Sequence, residues 1–362
     1  MSFRIPIGPY HPALEEPYKL ELMCSGETVV EAEMTVGFNF RGIEYLAERR
    51  NYIQDITLVE RVCGICSNVH SLSFCQTVEQ LSGLEVPERA LYIRVVLAEL
   101  ERLHSHFLWA GIAAKLIGFK TVFMACFTMR EKVMDALSAI SGNRVNYGMN
   151  RIGGVNRDIA SPQAALAILD ELEKGIRNSI HPIFLEDKTV ASRCRGVGIL
   201  TREQARAMGA VGPLARASGV PQDLRKAAPY AAYDRFEFNV PVEEAGDVQA
   251  RLIVHALEMM ESCRILRQAL CTLPEGPIHT PPPTAAKYKV PAGTAVSRVE
   301  APRGEVFYQV TSDGTDVPKR VRVRTPTFMN MATVRLTVLG QELADSPLIQ
   351  ASCDPCYSCT DR

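Results

Sequence analysis

The spacing of hydrophobic positions changes twice along the chain. From Tyr18 to Val36 it alternates loosely, with Leu20, Leu22, Val30, Ala32 and Met34 apolar and Glu21, Glu27, Glu31 and Glu33 between them. A period of two puts successive side chains on opposite faces of a strand, and the Ser25-Gly26-Glu27 turn predicts a hairpin. Pro6, Gly8, Pro9, Pro12 and Pro17 punctuate an irregular start. Ile43 to Arg50 has helical character. From Pro87 to Met134 the period lengthens, as Leu91, Val95, Leu97, Ala98, Leu100 and Leu103 recur near 3.6 residues. Ser161-Pro162-Gln163 opens another helix, which runs towards His181-Pro182, where proline should end it. Thr201-Arg202-Glu203 reads as a further helix start. Glu243 to Leu270 predicts a long amphipathic helix with Val248, Leu252, Ile253, Leu257, Met260, Ile265, Leu266 and Leu270 as its buried stripe. Pro274 to Pro283 contains five prolines and breaks the helical pattern. The period then returns to two, predicting strands over Arg303–Val310 and Lys319–Arg324 joined through Ser312-Asp313-Gly314.

The expected fold class is therefore α+β and predominantly helical. Residues 1–40 form a small N-terminal β region, 41–272 a central helix bundle, and 284–362 a C-terminal β region with a cysteine-bearing tail. The chain has no internal repeat. A single domain over 1–362 is expected, because a site shared between both ends ties the termini together.

Composition narrows the function. The 362 residues are 47% hydrophobic and 22% charged, an ordinary globular balance, with a net charge of −1. Without a basic excess to neutralise phosphates, nucleic acid is not an expected partner. The first residues lack the apolar region of a secretory signal. The nearest approach to a membrane span, Phe107 to Met129, is interrupted by Lys115 and Lys120 and reads as a buried helix or helix pair.

Eleven cysteines is an odd number, and a chain without an export signal offers no oxidising compartment for a disulfide framework. Cys24, Cys75, Cys126, Cys194, Cys263 and Cys271 stand alone and read as small buried side chains. The others cluster. Cys63-Gly64-Ile65-Cys66 is one C-x-x-C pair, and Cys353, Cys356 and Cys359 lie in the last ten residues. Two such pairs supply four soft thiolates, enough to close one metal centre. Gly64 is expected to permit the tight turn that brings two sulfurs together, Arg61 to favour thiolate by its charge, and His70 to donate to a ligated sulfur. The tail spacing C-x-x-C-x-x-C also suits part of a four-iron cluster, and tetrahedral zinc is a third reading.

These residues resemble the large, catalytic subunit of nickel–iron hydrogenases, in particular the energy-converting, membrane-bound type related to the quinone-site subunit of respiratory complex I. The stretch Arg61–His70 matches R-x-C-G-x-C-x-x-x-H, and Asp354–Cys359 matches D-P-C-x-x-C. Gly8–Ala13, Arg41-Gly42-Ile43-Glu44, Glu101–His106, Arg151–Val155, Asp223-Leu224-Arg225, Ala301–Gly304 and Thr325-Pro326-Thr327 resemble weaker segments of the same family. The complex I relative lacks the thiolate pairs and carries a histidine just after H-P-A, where this chain has Leu14-Glu15-Glu16.

The resemblance implies that Cys63, Cys66, Cys356 and Cys359 ligate nickel, with Cys66 and Cys359 bridging to an iron that carries cyanide and carbon monoxide. It implies reversible heterolytic cleavage of hydrogen, with Cys356 as proton acceptor and Glu16, or else Glu15, passing the proton on. Arg303 and Thr327, with Pro326 beside it, would donate to the diatomic ligands. The R-G-x-E carboxylate of many relatives helps bind a magnesium or iron ion near a C-terminal histidine. Here Arg362 occupies the end, and a guanidinium is no ligand, so Arg362 is expected to replace the ion and pair with Glu44. Expected partners are a small subunit with an iron–sulfur cluster, integral-membrane subunits and a ferredoxin-like donor, with the chain peripheral on the cytoplasmic face. Many relatives are clipped after metal insertion; a chain stopping at Arg362 is either the clipped form or one made without an extension. Cys353 is expected to be a bystander, and the histidines other than His70 to serve packing. The competing reading is a complex I-like electron-transfer or quinone-site subunit with a structural metal cluster; a zinc-stabilised scaffold is the third.

Overall fold

A computed structural model describes residues 2–12, 14–280 and 288–362. Ala13, and Pro281, Pro282 and Pro283 of the expected break, lie outside the described residues. The N-terminal hairpin Lys19–Ser25 and Thr28–Thr35 forms as expected, and Ser2–Ile7 adds a third antiparallel strand to it. Val30 does not face inward: the register slips between Met23 and Cys24, leaving Val30 as the extra residue and 51% exposed, while Val29 is buried.

The centre is helical. The helix Glu88–Ile117 ends at Gly118, which sits at φ 107°, and the antiparallel helix Lys120–Ser141 follows, so the apolar stretch is a helix pair. Against the first of these packs Val248–Cys271. Its expected stripe needs correcting. Ile253, Leu257 and Met260 are only half-buried, whereas Arg251, His255 and Glu258 are fully buried. This face meets other buried polar groups rather than an oily core. Arg216 donates to Glu258 at 2.7 Å and to Glu300 at 2.8 Å, while Glu99 accepts from Arg225 at 3.1 Å and from Tyr233 and Ser262 at 2.6 and 2.7 Å. Pro182 does not stop its helix either: two wide π-type turns, Ile176–Ile180 and Pro182–Glu186, carry the run to Asp187.

At the C-terminal end Gly293–Ala301, Gly304–Ser312 and Arg320–Arg324 form a three-stranded antiparallel sheet. The sequence pattern missed its first strand. Beyond the sheet the chain turns helical, with Pro326–Val338, Ser346–Ser352 and Tyr357–Asp361, so this region is mixed rather than β. The helix Ser67–Ser82 packs against the sheet and carries the first cysteine pair at its N-terminus. Five of the isolated cysteines are buried; Cys271, at a helix end, is exposed.

Candidate metal centre

Both cysteine pairs sit at helix N-termini, where free amides need acceptors. Cys66 precedes the helix Ser67–Ser82, whose Asn68 and Val69 amides donate to the Glu101 carboxylate at 2.6 and 3.1 Å. Burial pushes that carboxyl well above its usual range. Cys356 precedes the helix Tyr357–Asp361, whose Tyr357 and Ser358 amides both donate to Glu16, the latter at 3.0 Å. Asp361 accepts from the amides of Gly37 and Asn39 at 3.0 and 2.8 Å. Arg41 joins the two pairs: it donates to the carbonyls of Arg61 and Val62 at 2.8 and 2.9 Å and to that of Ser358 at 2.6 Å. The tail is thus strapped inward across the first pair.

The four sulfurs meet. Cys63 Sγ lies 3.5 Å from Cys356 Sγ, and Cys66 Sγ lies 3.2 Å from Cys359 Sγ. All four residues are buried. Hydrogen bonds from the Cys356, Cys359 and Cys66 thiols, helped by the charge of Arg303, hold Cys63 well below the ordinary thiol range. Burial and the same neighbours push Cys359 well above it. One negative charge is comfortable in this group, and four require a cation. Four convergent soft donors fit a thiophilic transition metal such as nickel, iron or zinc. Cys353 stands apart, its thiol donating to the Ile349 carbonyl at 3.4 Å.

The other anticipated residues divide. His70 Nε2 is 3.5 Å from Cys359 Sγ and its Nδ1 is 2.8 Å from the Tyr308 hydroxyl; burial lowers the imidazole to about 4, so it is neutral. Arg303 is buried, donating to the Asp354 carbonyl at 3.0 Å and to Ser105 at 2.9 Å, and pairing with the Asp354 carboxylate at 2.7 Å. Its turn is fixed by a backbone contact: a Cβ on Gly212, at φ 69°, would lie 2.3 Å from the Arg303 carbonyl oxygen. Thr327, one residue into the helix that Pro326 opens, accepts from the Cys356 amide at 2.9 Å and keeps its hydroxyl proton to donate elsewhere. Glu16 Oε1 is 3.9 Å from Cys356 Sγ, and burial raises its carboxyl pKa; Glu15 is exposed. Glu44 accepts from Arg362 Nε at 3.1 Å and from the Val323 amide at 2.9 Å, with Arg322 at 3.8 Å. Arg61 is half exposed and pairs with Glu60 at 3.6 Å, so the cation facing the sulfurs is Arg303. Gly64 is not at positive φ, and a Cβ there would touch only Val145 at 3.6 Å.

A cavity of about 250 Å³ opens beside the sulfurs, lined by Glu16, Tyr18, Trp109, Arg303, Asp354 and Tyr357 among others. Sequence reasoning missed the anchoring roles of Glu101, Arg41 and Asp361. Each acts on backbone groups that lie far from it in the sequence, a pairing that no local pattern announces.

Comparison with known proteins gives the family. Residues 117–287 and 283–362 match the family described as respiratory-chain NADH dehydrogenase, 49 Kd subunit, and residues 41–110 match the nickel-dependent hydrogenase family. The chain belongs to this oxidoreductase family of large subunits, shared by complex I and the energy-converting nickel–iron hydrogenases. It is 41% identical to the carbon monoxide-induced hydrogenase of Rhodospirillum rubrum, over 100% of this chain and 99% of the relative. It is 44% identical to the alpha subunit of the membrane-bound hydrogenase of Pyrococcus furiosus, over 99% and 87%. It is 40% identical to a subunit of the NADH-quinone oxidoreductase of Dehalococcoides mccartyi, over 100% and 98%. A solved structure from the membrane-bound sulfane sulfur reductase, an archaeal respiratory membrane complex, superposes with TM-score 0.95 at 31% identity, covering 100% of this chain and 98% of that one.

Proposed function

We propose that the chain is the catalytic subunit of a nickel–iron hydrogenase, interconverting hydrogen with protons and electrons. The observation that carries this reading is the convergence of four buried sulfurs from the two ends of the chain. Cys63, Cys66, Cys356 and Cys359 would hold a centre of nickel and iron, the iron bearing cyanide and carbon monoxide. The bound centre supplies the two-electron chemistry on hydrogen. The chain's own residues do the rest. Cys356 Sγ takes the proton, and Glu16, within reach of that sulfur, receives it at the wall of the cavity. Arg303 sets a fixed positive charge beside the sulfurs, and Thr327 holds the Cys356 amide. Glu44 is satisfied by Arg362, which leaves a magnesium or iron ion no role there.

Electrons need an exit. No second cysteine cluster exists among the described residues, so a small partner subunit with an iron–sulfur cluster is the proposed relay, fed by a ferredoxin-like donor. No helix among the described residues is long and apolar enough to cross a membrane. Membrane attachment, on the cytoplasmic face, is therefore assigned to integral-membrane partner subunits, with this chain as one peripheral domain.

Elemental analysis and infrared spectroscopy of the assembled complex test the reading. Nickel with iron, and bands from metal-bound cyanide and carbon monoxide, are expected. Their absence from mature protein would remove it. The second reading, a complex I-like quinone-site or electron-transfer subunit with a structural cluster, draws on the 49 Kd family match and the cavity beside the sulfurs; it predicts iron without nickel.

A further inference from the structure

Three buried side chains near the cysteines, but not among them, have polar atoms without partners. They are His106 on Glu88–Ile117, His255 on Val248–Cys271 and Asp354 in the tail. Each brings one potential ligand atom to within 4.8 Å of the other two. The atoms left without a hydrogen bond are His106 Nδ1, His255 Nε2 and Asp354 Oδ2.

The remaining atoms decide what those three must be. His106 Nε2 lies 3.1 Å from Glu258 Oε2, and Glu258, facing Arg216, is held well below the usual carboxylate range despite burial. Glu258 is thus an acceptor, so the His106 proton sits on Nε2. His255 Nδ1 lies 2.8 Å from the Arg251 carbonyl, which can only accept, so the His255 proton sits on Nδ1. Asp354 Oδ1 already pairs with Arg303. The atoms left over are thus two imidazole nitrogens and one carboxylate oxygen, on three side chains that each bring a ligand atom within 4.8 Å of the other two. Buried acceptors in that state are costly unless a cation or a water satisfies them.

We propose that His106, His255 and Asp354 bind a divalent first-row metal ion of the zinc type, distinct from the four-cysteine centre. Metal-bound histidines characteristically give their second ring nitrogen to a carboxylate or a backbone carbonyl, which fixes tautomer and ring orientation. His106 does the first with Glu258, and His255 does the second with Arg251. Trp109 stacks on the His255 ring at 3.7 Å and donates to the Ala351 carbonyl at 2.7 Å, holding that ring against the tail. Zinc–nitrogen bonds of about 2.0–2.1 Å place tetrahedral donors about 3.3–3.4 Å apart. His255 Nε2 and Asp354 Oδ2 are 3.8 Å apart, a gap that small side-chain rotations close. Such an ion would pin two central helices to the segment just before Cys356. It would also hold Asp354, which sits at the unfavourable φ of 50°, against Arg303. Its role is positioning, not chemistry on the substrate, and it stands whichever centre the cysteines hold.

The test is anomalous diffraction, or X-ray absorption at the zinc edge, on the purified complex supplied with zinc, together with metal counting. One zinc per chain with a nitrogen and oxygen shell free of sulfur, at the three atoms, is the expected result. H255Q and H106Q should lose that zinc, whereas H181Q, which alters a histidine bonded elsewhere, should keep it. If the first two variants fail to assemble, the wild-type measurement decides alone. Water only at the three atoms, zinc bound solely by sulfur, or zinc retained in both variants would overturn the proposal.

Discussion

Substitution of Glu16 separates anchoring from proton transfer. One oxygen of its carboxylate accepts the amides of Tyr357 and Ser358, and the other accepts the Ser358 hydroxyl at 3.2 Å and faces Cys356 Sγ at 3.9 Å. Charge-assisted hydrogen bonds contribute about 1.5–3 kcal/mol each. Glu16 is only partly buried, so the lower end applies, and the two amides together give about 3 kcal/mol to the seating of the last helix. Glu16→Ala removes all of it. Glu16→Gln keeps a neutral acceptor and should forfeit about half, near 1–2 kcal/mol. A carboxamide, however, carries no transferable proton. Metal retention should therefore fall in the order wild type, Gln, Ala, while both variants lose hydrogen evolution by about 10²–10⁴-fold, the range for removing a general acid–base. The assay is hydrogen evolution by the purified complex, normalised to nickel per chain. A Gln variant with full nickel and a wild-type rate would reduce Glu16 to a helix cap and refute the relay.

Three further outcomes are expected. Glu99→Gln strips charge from a carboxylate that accepts from Arg225, Tyr233 and Ser262; breaking such a buried pair should cost about 3–5 kcal/mol, read as a lower thermal midpoint of the complex. Asp55 is buried with neither oxygen partnered, and burial raises its carboxyl to about 8. A folded pKa above the unfolded one gives stability that is complete at low pH and lost as pH rises, about 1.4 kcal/mol per unit between about pH 4 and 8. Asp55→Asn should therefore flatten that loss, with urea midpoints close to wild type at pH 4 and clearly higher at pH 8. Arg362→Ala should lower the thermal midpoint slightly, by about 1 kcal/mol or less for this partly exposed pair, and a chelator should not change the difference.

The cysteine pairs were readable from sequence because thiolate spacing is a chemical requirement rather than a propensity. Their convergence is a geometric fact that the spacing anticipated, and the Arg362–Glu44 pair one that the family resemblance implied. The strands and helices with clean periods were readable too. What stayed hidden shares one cause. The period of Val248–Cys271 misled because part of its buried face is polar: Arg251, His255 and Glu258 look like solvent-facing residues until their partners from distant segments are known. The slip that expels Val30 and the wide turns that carry the chain past Pro182 are likewise backbone adjustments that no residue pattern announces. His106 and His255 read singly as packing residues; only the fold puts them beside Asp354.

Similarity across the whole chain measures the scaffold, and the scaffold here is the buried ionic network around Glu99, Arg216, Arg225, Glu258 and Glu300. Relatives with different named activities match the whole chain at nearly equal identity, so identity cannot choose between them. The choice falls on a few side chains. Without a metal, four buried thiols would have mainly one another for partners, and thiols are weak donors and acceptors. Crowding already forces their ionisation apart, lowering Cys63 and raising Cys359. A protein with no use for a cation would be better served by four small apolar residues at these positions. Arg41, Glu16, Glu101 and Asp361 together make twelve hydrogen bonds within 3.5 Å, most of them to backbone groups around the two pairs and the tail. That much positioning around four otherwise unfavourable thiols is the physical argument for a soft metal ion bound between them.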